Sequence, residues 1–141
     1  MKKSNDILLP EFDRLIKEGY TIEFTPKGIS MRPTIEGGHD SVLLRKYTRL
    51  KVGHIVLAKI NEQYVLHRIV KLQDDHIILQ GDGNLRGQEQ CTINDIIGQV
   101  VGIKSEKGSY KRLTQGKIWR HMPIFIKHLV LKAYRKYIQW L

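Results

Sequence analysis

The spacing of apolar residues changes twice along this chain. Leu9, Phe12, Leu15 and Ile16 recur at helical intervals, with Pro10 near the start and Gly19 just past the end, which predicts a short opening helix. From Tyr20 the period shortens, and TIEFT, DSVLLRKY, GHIVLAKI, EQYVLHRIV, DHIILQ and IIGQVVGI read as strands. Between them GGH, RLKVG, NEQ, DD and GDGN supply turn residues about every ten positions, the rhythm of an antiparallel β domain rather than of βαβ units. After Gly108 and Ser109 the helical period returns. Met122, Phe125, Ile126, Leu129, Val130, Tyr134, Tyr137, Ile138 and Leu141 fall near one face, with Arg120, Lys127, Lys132, Arg135 and Lys136 on the other, and Pro123 marks where the main helix starts. The expected organisation is an N-terminal helical segment over 1–19, a β-rich domain over 20–104, and a basic amphipathic extension over 105–141.

A length of 141 residues suits one domain with a single moderate core. The net charge of +10 changes that picture because it is uneven. Ten Lys/Arg stand against Glu106 alone from Lys104 onward, leaving fourteen against thirteen before it. The body is nearly neutral and the extension carries the charge, so it is read as a docked helix with a solvated basic face, as an interfacial helix on an anionic membrane surface, or as a nucleic-acid contact. Interleaved Trp119, Phe125, Tyr134, Tyr137 and Trp140 suit the membrane, whereas no nucleic-acid-binding signature accompanies the charge. Cys91 is the one cysteine, which excludes an intramolecular disulfide. The apolar run Ile7 to Leu9 is too short for a signal peptide, and Lys127, Lys132 and Arg135 interrupt the C-terminal region below the length of a membrane span. These features predict a cytoplasmic protein, or one peripheral at the cytoplasmic membrane. His39, His54, His76, His121 and His128 show no metal-ligand spacing and are read as surface or packing residues, so no metal or cofactor is expected.

The candidate chemistry lies in KGISMRPTIEGGHD, Lys27 to Asp40, where a glycine-flanked, proline-containing segment exposes Ser30. A serine hydroxyl attacks an amide only with a positioned base and donors for the developing oxyanion. In YVLHRIV, alternation puts Tyr64, Leu66, Arg68 and Val70 on one face and Val65, His67 and Ile69 on the other, so His67 shares an apolar face as a usable base. Lys71, further along the same face, is a second candidate base. Asp82 in LQGDGN is one candidate for the group that orients the imidazole.

In order along residues 28 to 84, GISMRPTIEGGHD, VGHIVLAKI, VLHRIVKL and LQGDGN resemble four boxes of the signal peptidase superfamily, which also contains the self-cleaving SOS-repressor-type peptidases. Ser30, Met31 and Pro33 match the nucleophile box, and His54 stands where the second box usually has an acid. The superfamily uses either lysine or histidine as base. His67 gives this chain its resemblance to the histidine branch of endoplasmic-reticulum and archaeal signal peptidases. The resemblance implies a serine endopeptidase acting on a leader or signal-like peptide. Ser30 is then the nucleophile, His67 the base rather than Lys71, the Ser30 N–H an oxyanion donor, and Met31 and Pro33 neighbours of substrate and oxyanion. It also implies a preference for small side chains before the cleaved bond. For the third residue Asp82 is favoured, with Glu89 of LRGQEQ as rival, because the histidine branch often places its acid just beyond the Gly-Asp-Asn box. The alternative is a non-catalytic or self-cleaving regulatory module on the same fold. Against self-cleavage, only 29 residues precede Ser30, and no Ala-Gly or Cys-Gly pair is present.

Overall fold

The computed structural model describes residues 2, 3 and 5–140, with side chains from Leu9 to Trp140. It is mainly an antiparallel β half-barrel flanked by helices, as the apolar spacing predicts. Helix α1, Asn5–Lys17, begins earlier than expected, so Pro10 sits inside it rather than at its start. Phe12 and Ile16 bury the face that α1 turns to the sheet, and Phe12 meets Phe24 with ring centroids 5.1 Å apart.

The strands are β1 (Lys2–Lys3), β2 (Ile22–Phe24), β3 (Ser41–Arg45), β4 (Ile55–Ile60), β5 (Gln63–Gln73), β6 (His76–Gln80), β7 (Glu89–Thr92), β8 (Ile96–Lys104) and β9 (Tyr110–Lys111). Among the described residues they form one sheet in the order β1-β2-β3-β8-β4-β5-β6-β7, with β9 on β8, and every pairing except β1 with β2 is antiparallel. β4 and β5 join through Asn61 and Glu62, both at positive φ, the conformation of a two-residue hairpin turn. Register breaks at Leu43/Leu44, Leu57/Ala58 and Ile69/Lys71 are bulges that increase local twist and let the sheet curl.

Two cores follow from that curl, and β4 lies between them. Ile55 and Leu57 enter the cluster with Phe12, Phe24, Met31, Ile35 and Val42, while Val56 and Ala58 join Ile69, Ile77, Leu79 and Cys91 on the other side. Alternating side chains of a strand buried on both faces produce this division. The bulge in β5 also corrects the reading of Lys71. The extra residue, Val70, flips the alternation, so that Ile69 and Leu72 pack into one cluster and Lys71 turns outward to solvent.

Beyond β9, the single-turn helix α2 (Lys117–Arg120) and the long helix α3 (Ile124–Trp140) complete the chain. α3 starts directly after Pro123, whose carbonyl accepts from Ile126 and Lys127. The expected single apolar face of α3 is divided: Ile126, Val130, Tyr134 and Ile138 are half-buried, whereas Phe125, Leu129 and Tyr137 are exposed. Leu141, placed on that face from the sequence, lies outside the described residues.

Candidate active site

Residues 25–40 connect β2 to β3 as a braced loop carrying Ser30. Met31 and Ile35 anchor it by burial in the first core, and the Ile35 N–H bonds the Met31 carbonyl at 2.9 Å. Arg32 clamps buried Glu36 through Nε, 3.0 and 2.9 Å from its two oxygens, and Nη2, 2.9 Å from Oε1. The hydrogen bonds to Glu36, and then its negative charge, hold the Arg32 guanidinium above its ordinary pKa. Asp40 accepts from the Glu36 N–H and from Lys111 Nζ of β9, each at 2.8 Å, and Lys111 also donates to the Thr34 carbonyl at 2.9 Å. The loop closes on itself where Gly37 meets Gly28, because a Cβ at residue 37 would lie 2.0 Å from the Gly28 carbonyl oxygen.

The GDGN segment, between β6 and β7, packs directly under the nucleophile loop. A Cβ on Gly81 would stand 2.3 Å from the Ser30 carbonyl oxygen and 2.9 Å from His67 Nε2, so only glycine admits this approach. Two residues on, the Gly83 N–H donates to the Ser30 carbonyl at 2.8 Å. Between them Asp82 turns away from the imidazole into a buried network. Its carboxylate receives Arg68 Nε at 2.9 Å and Nη2 at 2.8 Å together with the Thr34 hydroxyl, and its carbonyl receives the Trp119 indole N–H at 2.7 Å. Arg68, 1 % exposed, uses Nη1 on the Gly53 and Thr114 carbonyls, both at 2.8 Å. Such a fork satisfies a buried carboxylate bidentately.

His67 is buried on β5, and its Nε2 lies 3.0 Å from Ser30 Oγ. Its Nδ1 lies 2.5 Å from Glu89 Oε1 on β7. An ionised carboxylate only accepts, so this contact puts the ring proton on Nδ1 and leaves the Nε2 lone pair facing the Ser30 hydroxyl. The carboxylate reaching the imidazole is therefore Glu89, and the expectation favouring Asp82 is corrected: Asp82 is committed to Arg68 and Thr34. β7 delivers Glu89 because Glu89 pairs with Leu79 on β6, which in turn pairs with Ile69, two residues from His67 on β5.

A cavity of ≈ 360 Å³ opens beside Ser30 and His67, walled by Phe24, Pro26, Met31, Ile35, Leu57, Tyr64 and Leu66. It is a mostly apolar recess with the hydroxyl at its edge. Met31 lines it and also places Sδ 3.4 Å from the Asp82 N–H, whereas Pro33, expected beside substrate, lies off the cleft in the turn after the cis Arg32–Pro33 bond. The Ser30 N–H meets no acceptor among the described residues, leaving a donor for an oxyanion. The thiol of Cys91 is in no such position, since burial pushes its pKa up to about 11. Of the other histidines, His39 pairs with Glu106 at 2.7 Å and His54 accepts from the Lys51 N–H at 3.2 Å. Among the described residues no three His, Cys, Asp or Glu side chains group as metal ligands.

Arg68, Thr34, Lys111 and Trp119 are the parts that sequence reasoning missed. A signal existed for Arg68, an obligatory cation in the otherwise apolar and aromatic set Tyr64, Leu66 and Val70, which calls for a buried carboxylate partner.

A serine on a loop thus faces a histidine and a carboxylate carried by the curled β sheet. The model of the family described as Peptidase S24-like matches residues 8–101, from α1 into β8, and the chain belongs to that family. No curated protein matches the chain.

Proposed function

We propose that the protein is a serine endopeptidase of the histidine-base type found in endoplasmic-reticulum and archaeal signal peptidases, cleaving a leader or signal-like peptide. The observation that carries the reading is the line of contacts from Ser30 Oγ through both nitrogens of His67 to Glu89, at 3.0 and 2.5 Å. The Ser30 oxygen attacks the scissile carbonyl while His67 Nε2 takes its proton. The imidazolium that forms is stabilised by Glu89, and the developing oxyanion meets the Ser30 N–H. His67 then returns the proton to the leaving amine, and a water, activated in the same way, hydrolyses the acyl-enzyme. The apolar recess bordered by Met31, Ile35 and Leu57 accepts the side chain before the bond, in keeping with small-residue specificity.

Purified wild type, Ser30→Ala and His67→Ala incubated with a peptide library and read by mass spectrometry test this reading. Wild type yields defined products, and each variant loses roughly 10³-fold or more in rate. The family also includes non-catalytic members, and an uncut library with all three proteins would assign this chain to them. Fragments of the protein itself, present in wild type and absent in Ser30→Ala, would assign it to the self-cleaving regulators.

A further inference from the structure

The apolar arc of α3 is wider than the face the body covers. At about 100° per residue, Ile126, Val130, Tyr134 and Ile138 follow one another along the half-buried side. Phe125, Leu129, Ala133, Tyr137 and Trp140, at i, i+4, i+8, i+12 and i+15, form the adjoining strip, and all are exposed. Phe125 is 64 % exposed, Leu129 63 % and Trp140 89 %, while no residue of α3 is buried. Lys132 and Lys136 flank the bearing of Phe125 at one edge of this strip, and Arg135 lies further around the helix. α3 contains no acidic residue, and Glu106 is the one acid from Lys104 to the C-terminus.

We infer that this strip is a peripheral docking surface for an anionic lipid bilayer. The rings of Phe125, Tyr137 and Trp140 with Leu129 enter the boundary between head groups and acyl chains, and Lys132, Arg135 and Lys136 meet lipid phosphates. The helix lies on the surface rather than crossing it, because among the described residues no helix is long and apolar enough to span a membrane. A bilayer uses both the apolar and the cationic components. A second copy would set Lys132 and Lys136 against their like, with no acid on α3 to meet them, and a nucleic acid would leave Phe125 and Leu129 in water. The inner face of the same helix holds Tyr134 under Arg32, 5.8 Å from ring centroid to guanidinium carbon, two residues from Ser30. Docking of the outer strip therefore holds the serine loop, with Ile29 61 % exposed, within about one helix diameter, roughly 10 Å, of the lipid surface. The meaning of that placement for cleavage rests on the peptidase reading, whereas the docking does not.

Co-sedimentation of the full chain with phosphatidylcholine vesicles, with and without phosphatidylglycerol, tests the inference. Wild type and Ser30→Ala bind the anionic vesicles alike, which separates docking from catalysis, and both bind pure phosphatidylcholine at least about tenfold less. Phe125→Glu/Leu129→Glu, at exposed positions that leave the melting temperature in place, loses binding by at least about tenfold. Lys132→Glu/Lys136→Glu weakens it by about fivefold or more per lysine at low salt. Trp140 emission shifts to the blue with anionic vesicles, and Trp140→Phe abolishes the shift although Trp119 remains. Failure to bind anionic vesicles overturns the inference, as does binding that survives Phe125→Glu/Leu129→Glu. So does a dimer in sedimentation velocity that this double variant dissociates in the absence of vesicle binding, which would give the strip to a second copy.

Discussion

The serine loop and helix α3 touch through Arg32 and Tyr134, yet they are fixed by opposite means. The loop is held by buried carboxylates that each have a designated partner: Glu36 on Arg32, Asp40 on the Glu36 amide and Lys111, and Asp82 below it on Arg68 and Thr34. α3 lies on the body with half-buried residues only and with a strip of large apolar side chains left in solvent. Charged groups taken out of water cannot tolerate displacement, because each lost partner leaves an uncompensated charge, whereas partial apolar contact is forgiving of small shifts. The difference teaches where geometry is enforced: at Ser30 and His67, where the proposed chemistry would lose about a hundredfold in rate to a misplacement of about 1 Å, and not along α3.

The largest effect expected from breaking this contrast comes from Arg68→Met. It leaves Asp82, almost fully buried, without its fork, and removes the donors to the Gly53 and Thr114 carbonyls. Loss of about 3–5 kcal/mol is expected in urea unfolding, with loss of cleavage because the support under the Ser30 loop goes with it. The counterpart in the extension, Phe125→Ser/Leu129→Ser, changes stability by less than about 1 kcal/mol, since neither side chain is buried. Equal destabilisation by the two variants would refute the contrast.

Glu89→Gln sharpens the comparison within the body. Both Asp82 and Glu89 are carboxylates beside the Ser30 loop, one bonded to an arginine and one to the imidazole. Glutamine keeps the shape but not the charge that, in the proposed mechanism, holds the Nδ1 proton and stabilises the imidazolium. Stability should move by about 1 kcal/mol while kcat falls by roughly 10²–10⁴-fold with KM little changed. A variant that cuts as fast as wild type would remove Glu89 from the mechanism.

The sequence made the architecture legible where one rule dominated. Alternation and turn residues identified β2 through β6 and β8, because each is half or fully buried and bounded by a reversal. It did not reveal β7, Glu-Gln-Cys-Thr, whose one apolar residue gives no period, and that strand is the one that carries Glu89. The glycine-rich segment around Asp82 is conspicuous in the sequence, but it approaches Ser30 closely and engages Arg68, a partnership visible only after β5 and the segment are brought together. Simple alternation puts Lys71 on the wrong face because a bulge adds a residue without any mark in the composition. The apolar face of α3 was legible as a face, but not its division between body and solvent, which depends on how much surface the body offers.

An effect read through pH rather than through cleavage is expected at Cys91, two residues along β7 from Glu89 and inside the second core. Burial, aided by the charges of Asp95 and Glu89, raises its thiol from the ordinary 9.0 to about 11. Since the folded value lies above the unfolded one, the unfolded chain loses the proton first as pH rises. The stabilising contribution is thus complete below about pH 9, declines between 9 and 11, and is gone above that range. Cys91→Ala should therefore be less stable than wild type by a constant margin from pH 6 to 8, and the margin should close by about 2 kcal/mol at most as the pH approaches 11. Urea titrations of the two proteins at matched pH measure that gap directly, with lysine and tyrosine titrations common to both cancelling in the difference. Iodoacetamide labelling of the folded protein at pH 8 should be correspondingly slow, and rapid labelling would show that β7 opens, leaving Glu89 without the rigid strand that holds it against His67.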